Sequence, residues 1–200
     1  MADLVGAPGR RAALAASALA LAAAASPVRA AAADATDGPS AFDFAFRSLE
    51  GDPLPLSGFR GRVLLVVNTA SFCGYTPQYA ALQRLHDRHE ARGLTVLGVP
   101  SNDFAQESGD AARVRAFCDT MYGITFPLAE ISRVRGPAAH PFFRWAAERG
   151  AGPVRWNFHK VLVARDGRRV VGFPTQTEPD APALLRAVEA ALAEPVPPLS

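Results

Sequence analysis

Past residue 41 the apolar and polar positions fall into short, readable runs. Phe42-Asp43-Phe44-Ala45-Phe46 alternates like a half-buried strand, Gly51-Asp52-Pro53 supplies a turn, and 54–56 reads as a second short strand, which predicts a hairpin. Residues 62–67 (Arg-Val-Leu-Leu-Val-Val) form a continuous, partly β-branched apolar run of the kind that fills a buried central strand. That run ends at Asn68, in a polar, Gly-containing loop that carries Cys73. Thr76 followed by Pro77 reads as N-cap and first helical residue, with Tyr79, Leu82, Leu85 and His86 at helical spacing until Gly93 stops the run. Further on, 94–99 predicts a strand, 110–122 a helix, 161–164 and 169–173 a hairpin around Asp166-Gly167, and 180–193 an amphipathic helix.

This βαβ…ββα order predicts an α/β, thioredoxin-like fold: a central mixed sheet flanked by helices, with an N-terminal β-hairpin. Two strands that are apolar throughout suit a sheet covered on both faces. The folded domain is expected over 42–194, with 34–41 as a linker and the Pro-rich stretch 195–200 as a frayed tail.

Residues 1–33 have a different character. Arg10 and Arg11 precede an Ala/Leu run over 12–25, followed by Pro27 and the small-x-small tripeptide Val28-Arg29-Ala30, a pattern expected of an export signal cleaved near residues 30–33. The apolar run falls short of the roughly 20 residues that span a bilayer. The expected address is the bacterial periplasm or the exterior, a compartment that tolerates disulfides, with no stable membrane association after cleavage. The paired arginines raise the twin-arginine route, although Ala12-Ala13-Leu14 match its usual pattern poorly, so the export route stays open.

Composition narrows the class. Of 200 residues, 49% are hydrophobic and 20% charged, with a formal net charge of +2, which places the chain among globular proteins. Scattered arginines and so small a net charge exclude a phosphate-binding stripe, hence a nucleic-acid partner. His86 and His89 lie three apart without a third ligand at suitable spacing, so no metal site is expected, no cofactor is implied, and both are read as surface residues. Two cysteines, Cys73 and Cys118, are too few for a disulfide scaffold.

Cys73 stands between a strand and a helix N-terminus, where unpaired N–H groups and the helix dipole stabilise negative charge. Thiolate, not thiol, attacks peroxide, and the sulfenic acid so formed can condense with a second thiol. Cys118 is the other thiol in this chain, and its mid-helix position requires either proximity or local unwinding, because a disulfide tolerates Cα separations only up to about 7 Å. A mobile helix is the expectation.

The run Asn68-Thr69-Ala70-Ser71-Phe72-Cys73-Gly74-Tyr75-Thr76-Pro77 resembles the active-site signature of glutathione peroxidases, with cysteine where some members carry selenocysteine. Leu97-Gly98-Val99-Pro100-Ser101-Asn102-Asp103-Phe104, then Phe117-Cys118 with Tyr122-Gly123-Ile124-Thr125-Phe126-Pro127, then Trp156-Asn157-Phe158-His159-Lys160, resemble the family's later motifs in the same order. The resemblance, to the non-selenium bacterial type, implies a thiol-dependent peroxidase acting on hydrogen peroxide or organic hydroperoxides. It implies Cys73 as the attacking residue, Trp156 and Asn157 as N–H donors beside it, and Cys118 as the resolving cysteine. It also implies recycling by a thiol reductant, glutathione or a thioredoxin-like protein. Without the insertion between His140 and Trp156 that tetrameric members use, a monomer is expected.

One position departs from the pattern. Asp103 occupies the slot read as the family's catalytic glutamine, and an ionised carboxylate beside a thiolate would oppose its formation. Three readings stay open: Asp103 is protonated or turned away; it serves as a base; or Gln106 moves in to supply an amide. Two other functions are weighed against the peroxidase. A periplasmic disulfide oxidoreductase wants a C-x-x-C pair, and Thr76 holds the second position; a peroxide-sensing redox protein would react once and regenerate slowly.

Overall fold

The computed structural model describes residues 38–198; the export segment expected over 1–33 lies outside them. A short hairpin opens the domain, β1 (Ala45–Arg47) antiparallel to β2 (Pro53–Pro55), with Phe46 opposite Leu54. The alternation read from Phe42 is only partly strand. Ala41–Asp43 forms a 3-10 turn, closed by Ser40, whose backbone N–H donates to the Asp43 carboxylate at 2.8 Å.

The main sheet has four strands in the order β4-β3-β5-β6: β3 (Val63–Thr69), β4 (Leu94–Pro100), β5 (Lys160–Val163) and β6 (Val170–Phe173). β3 runs parallel to β4 and antiparallel to β5, and β5 pairs antiparallel with β6. Every residue of β3 and β4 is buried, because the sheet is covered on both faces. Successive side chains alternate between two cores. Val63, Leu65 and Val67 face a core shared with Tyr79, Leu82, Leu184 and Val188, whereas Leu64 and Val66 face one built from Phe42, Phe46, Phe142 and Trp145. The helices of the first face are α1 (Gln78–His89), α2 (Ala111–Tyr122) and, last in the chain, α4 (Pro182–Ala193); α3 (Pro141–Ala146) covers the second.

Three details differ from the sequence reading. Thr76 does not cap α1: the cap position is Pro77, without a side-chain bond. His86 and His89 are buried rather than at the surface, since they continue the face of Leu82 and Leu85 one turn on. The His86 Nδ1 accepts the Val96 N–H at 3.4 Å. Finally, α3 was not anticipated; with Phe142, Phe143, Trp145 and Ala146 all buried it has no polar stripe to reveal a helical period. Among the described residues no helix is long and apolar enough to cross a membrane, and no group of three or more potential ligands is placed to hold a metal ion.

Candidate active site

The C-terminal end of β3 organises the site. Asn68, buried, ties in a segment from far along the chain: its Nδ2 donates to the Trp156 carbonyl (3.2 Å), its Oδ1 accepts the His159 N–H (3.0 Å) and its carbonyl accepts the Phe158 N–H (2.6 Å). Phe158 takes a left-handed backbone, φ 60°, in making that bond, a conformation uncommon for a bulky residue. Asn157, fully buried, is gripped further where the Thr175 hydroxyl donates to its carbonyl at 2.7 Å.

The loop after β3 then turns through Cys73. Its N–H donates to Thr76 Oγ1 (3.0 Å), and that hydroxyl donates onward to the Ala70 carbonyl (2.9 Å), so one buried side chain closes the turn at both ends. The Tyr75 N–H points to Cys73 Sγ at 3.5 Å. Cys73 is a free thiol, 7% exposed, between Phe72 at 68% and the end of the loop.

Gln106 links the two halves. Its carbonyl accepts the Phe72 N–H at 2.9 Å, and its Oε1 accepts Asn157 Nδ2 at 2.9 Å, so one residue joins the peptide preceding Cys73 to the Trp156-Asn157 segment. With Oε1 occupied, the Gln106 NH₂ remains as a donor. Asp103 does not play this part. Its carboxylate, almost wholly buried, is held by Arg133 Nε at 2.7 Å and by the Val134 and Arg135 N–H groups at 2.7 and 3.1 Å. Of the readings left open for Asp103, the geometry agrees with a carboxylate turned away and an amide supplied by Gln106: Asp103 fastens a loop, and the amide beside Asn157 belongs to Gln106. Trp156 is 40% exposed and packs against Phe104, ring centroids 5.0 Å apart.

Cys118 lies on the inner face of α2, fully buried and reduced, in the same core that Cys73 borders. Burial, with smaller contributions from the charges of Glu107 and Asp119, pushes its thiol up to about 11, against the opposing effects of the Tyr79 hydroxyl and Arg115. α2 is closed at both ends. Asp110 Oδ1 accepts the Ala112 and Arg113 N–H groups at 2.9 and 3.3 Å, and Gly123 takes the left-handed C-terminal conformation, φ 58°.

Residues 41–147 match the family model described as glutathione peroxidase. The chain belongs to the glutathione peroxidase family. It is 45% identical over 150 residues to the hydroperoxy fatty acid reductase gpx1 of Synechocystis sp., an overlap of 70% of this chain and 89% of that protein. The glutathione peroxidase of Lactococcus lactis subsp. cremoris is 38% identical over 144 residues, covering 70% and 92%. Among solved structures, the crystal structure of Trgpx in apo form superposes with a TM-score of 0.66 at 31% identity, over 80% of this chain and 99% of that one. The expected fold class and enzyme class hold: this is a thioredoxin-fold, thiol-dependent peroxidase. Asn68, read from the sequence only as the end of a strand, and Thr76, read as a helix cap, instead hold the site together; what identifies them is their burial beside a loop that must be fastened.

Proposed function

We propose that this peroxidase reduces hydrogen peroxide or an organic hydroperoxide at Cys73. The sulfur attacks the terminal peroxide oxygen, the O–O bond breaks, water or alcohol leaves, and Cys73 becomes a sulfenic acid. Cys118 then condenses with it to a disulfide, and a thiol reductant, a thioredoxin-like protein or glutathione, restores both thiols. The observation that carries this reading is the Gln106 bridge: an amide pair, Gln106 and Asn157, is fastened to the very turn that holds Cys73. Neutral amide donors can stabilise charge that develops on sulfur and on the departing oxygen without titrating near neutral pH.

Two features support an organic hydroperoxide. The rim of the site is apolar, with Phe72, Trp156 and Phe104, and beside Trp156 lies a cleft of about 310 Å³ lined by Pro153, Arg155, Trp156, His159 and Pro174 among others. A small-molecule pocket commonly has about that volume or more. The Synechocystis relative is named for hydroperoxy fatty acids. For the resolving step α2 would have to open, and its anchorage is slight: of its residues only Val114 and Cys118 are fully buried. We further propose export to the periplasm through residues 1–33, on the strength of the signal pattern in that segment, and action as a monomer, on the strength of the short stretch between His140 and Trp156.

The test is stoichiometric oxidation of wild type, Cys73→Ser and Cys118→Ser by hydrogen peroxide or cumene hydroperoxide, followed by peroxide loss and peptide mass. Peroxide loss should vanish in Cys73→Ser, whereas Cys118→Ser should consume one equivalent and stop at the sulfenic acid. A wild type in which Cys73 stays reduced refutes the reading.

A further inference from the structure

Lys160, the first residue of β5, is fully buried and takes no part in the peroxide chemistry itself. A buried ammonium is costly unless it is paired, and its usual partner is a carboxylate. Lys160 has two backbone carbonyls instead: its Nζ donates to those of Thr175 (3.2 Å) and Thr177 (2.6 Å), both in the loop between β6 and α4. Glu178, in the same loop, gives its Oε1 to Gln78 Nε2 (3.1 Å) and acts on the lysine only as a nearby charge. A desolvated charge held by carbonyls alone is poor support for a fold, since an apolar side chain of similar volume serves as well or better.

The contacts of that loop give the lysine another task. The Thr175 hydroxyl donates to the Asn157 carbonyl at 2.7 Å, and the Thr175 carbonyl accepts a further bond, from Gln78 Nε2, at 2.9 Å. Gln78 opens α1 shortly after Cys73 and is itself buried. Thr175 thus joins α1 to the Trp156-Asn157 segment, just as Gln106 joins that segment to the peptide before Cys73. The segment needs holding: Phe158, next to Asn157, has φ 60°, and a bulky residue keeps such a backbone only where its surroundings over-determine it. We propose that Lys160 is a positioning residue for peroxide reduction: its buried ammonium fixes the 174–178 loop, and the loop, through the Thr175 hydroxyl, fixes Asn157 against the turn that carries Cys73. Lys160 reaches the loop from inside the sheet, where it is paired with Val67 of β3 and Phe173 of β6, and a charged donor binds a carbonyl about twice as strongly as a neutral one.

This inference rests on Asn157 acting at Cys73, and the experiment is confined to the first oxidation, which needs neither Cys118 nor a reductant. Reduced wild type, Lys160→Met, Thr175→Val and the double variant are each mixed with one equivalent of hydrogen peroxide, and the second-order rate of Cys73 oxidation is followed by peroxide loss and peptide mass. Each single variant should react roughly tenfold more slowly, given that a 1 Å displacement can cost about 10²-fold. The double variant should be no slower than either, because both changes cut one chain of contacts. Lys160→Met should meanwhile melt at or above the wild-type temperature, the reverse of what a fold-supporting residue gives. The pH profile adds a second readout. The titratable groups about Lys160 are Glu178 from the loop and His159 before it in the chain, and burial lowers the lysine to about 8. The ratio of wild-type to Lys160→Met rates, in which the ionisation of Cys73 cancels, should therefore be constant below about pH 7 and shrink above about pH 9, one unit either side of that value. A wild-type rate in Lys160→Met, losses that multiply in the double variant, a ratio that stays flat across this range, or a rate loss matched by a melting temperature more than about 5 °C lower each overturn the proposal. Should Lys160→Met not fold, Thr175→Val, which leaves the lysine in place, decides by its rate and by the same pH ratio. Asn157→Ala reacting at the wild-type rate, or peroxide left untouched by wild type, refutes the reading of the site and the proposal with it, whereas the other outcomes leave that reading standing.

Discussion

Thr76→Val deletes one hydroxyl from the Cys73 turn while keeping the side chain's shape. That hydroxyl accepts from the Cys73 N–H and donates to the Ala70 carbonyl, and all three residues are buried. Water cannot replace it easily. Two hydrogen bonds are lost and two backbone groups are stranded, each at about 1–3 kcal/mol, which gives a loss of about 2–6 kcal/mol. Against a typical stability of about 5–15 kcal/mol this is a large fraction, and for a domain of this size the melting temperature should fall by roughly 5–15 °C. Urea denaturation measures the first quantity and calorimetry the second. The turn also fixes the position of sulfur, so the second-order rate of peroxide loss should drop by at least about tenfold, since a 1 Å displacement of a reacting group can cost about 10²-fold. Thr76→Ser, which keeps the hydroxyl, should recover most of both losses. If Thr76→Val stays within about 0.5 kcal/mol of wild type and keeps its rate, the hydroxyl does not hold the turn and the argument from burial is wrong.

Other consequences can be checked with the same assays. Gln106→Ala should slow peroxide reduction by roughly 10²-fold by removing an amide beside Asn157; Asp103→Ala should lower stability by about 1–3 kcal/mol by freeing Arg133 and two N–H groups, yet keep most of the rate. Equal losses of rate in the two variants would contradict the division of roles drawn between them. All four histidines, His86, His89, His140 and His159, are held below their ordinary value chiefly by burial. The unfolded chain therefore binds more protons at these sites, and stability should decline as pH falls below about 6.5, ahead of the loss of the lowered carboxylates Asp43, Glu50 and Asp166. Urea midpoints that do not change between pH 7.5 and 5.5, an interval chosen around the ordinary histidine value of about 6.5, would contradict this. Gly172→Ala should prevent soluble folding or cost more than about 3 kcal/mol, because a methyl there would fall 1.8 Å from the Ala151 carbonyl oxygen; a normal melting curve would show that β6 can shift.

Local chemistry determined much of this protein before any contact was known. β3 and β4 were readable because unbroken apolar runs have only a doubly covered sheet to enter. The position of Cys73 between a strand and a helix was readable because those elements follow one another there without help from the rest of the chain. The burial of His86 and His89 is legible in the helical spacing, which puts them on the face of Leu82 and Leu85, whereas their polarity points to the surface. The tertiary structure alone decided which of two neighbouring polar residues meets Asn157. Asp103 and Gln106 are equally plausible along the chain, but a buried carboxylate demands charged or N–H partners, and the turn at Arg133, Val134 and Arg135 supplies them, whereas Gln106 can both donate and accept and so fits beside another amide. The same holds for the burial of Cys118: α1, α2 and α4 meet the sheet in one core, and the cost of burying a thiol there is set by neighbours that arrive from distant parts of the sequence.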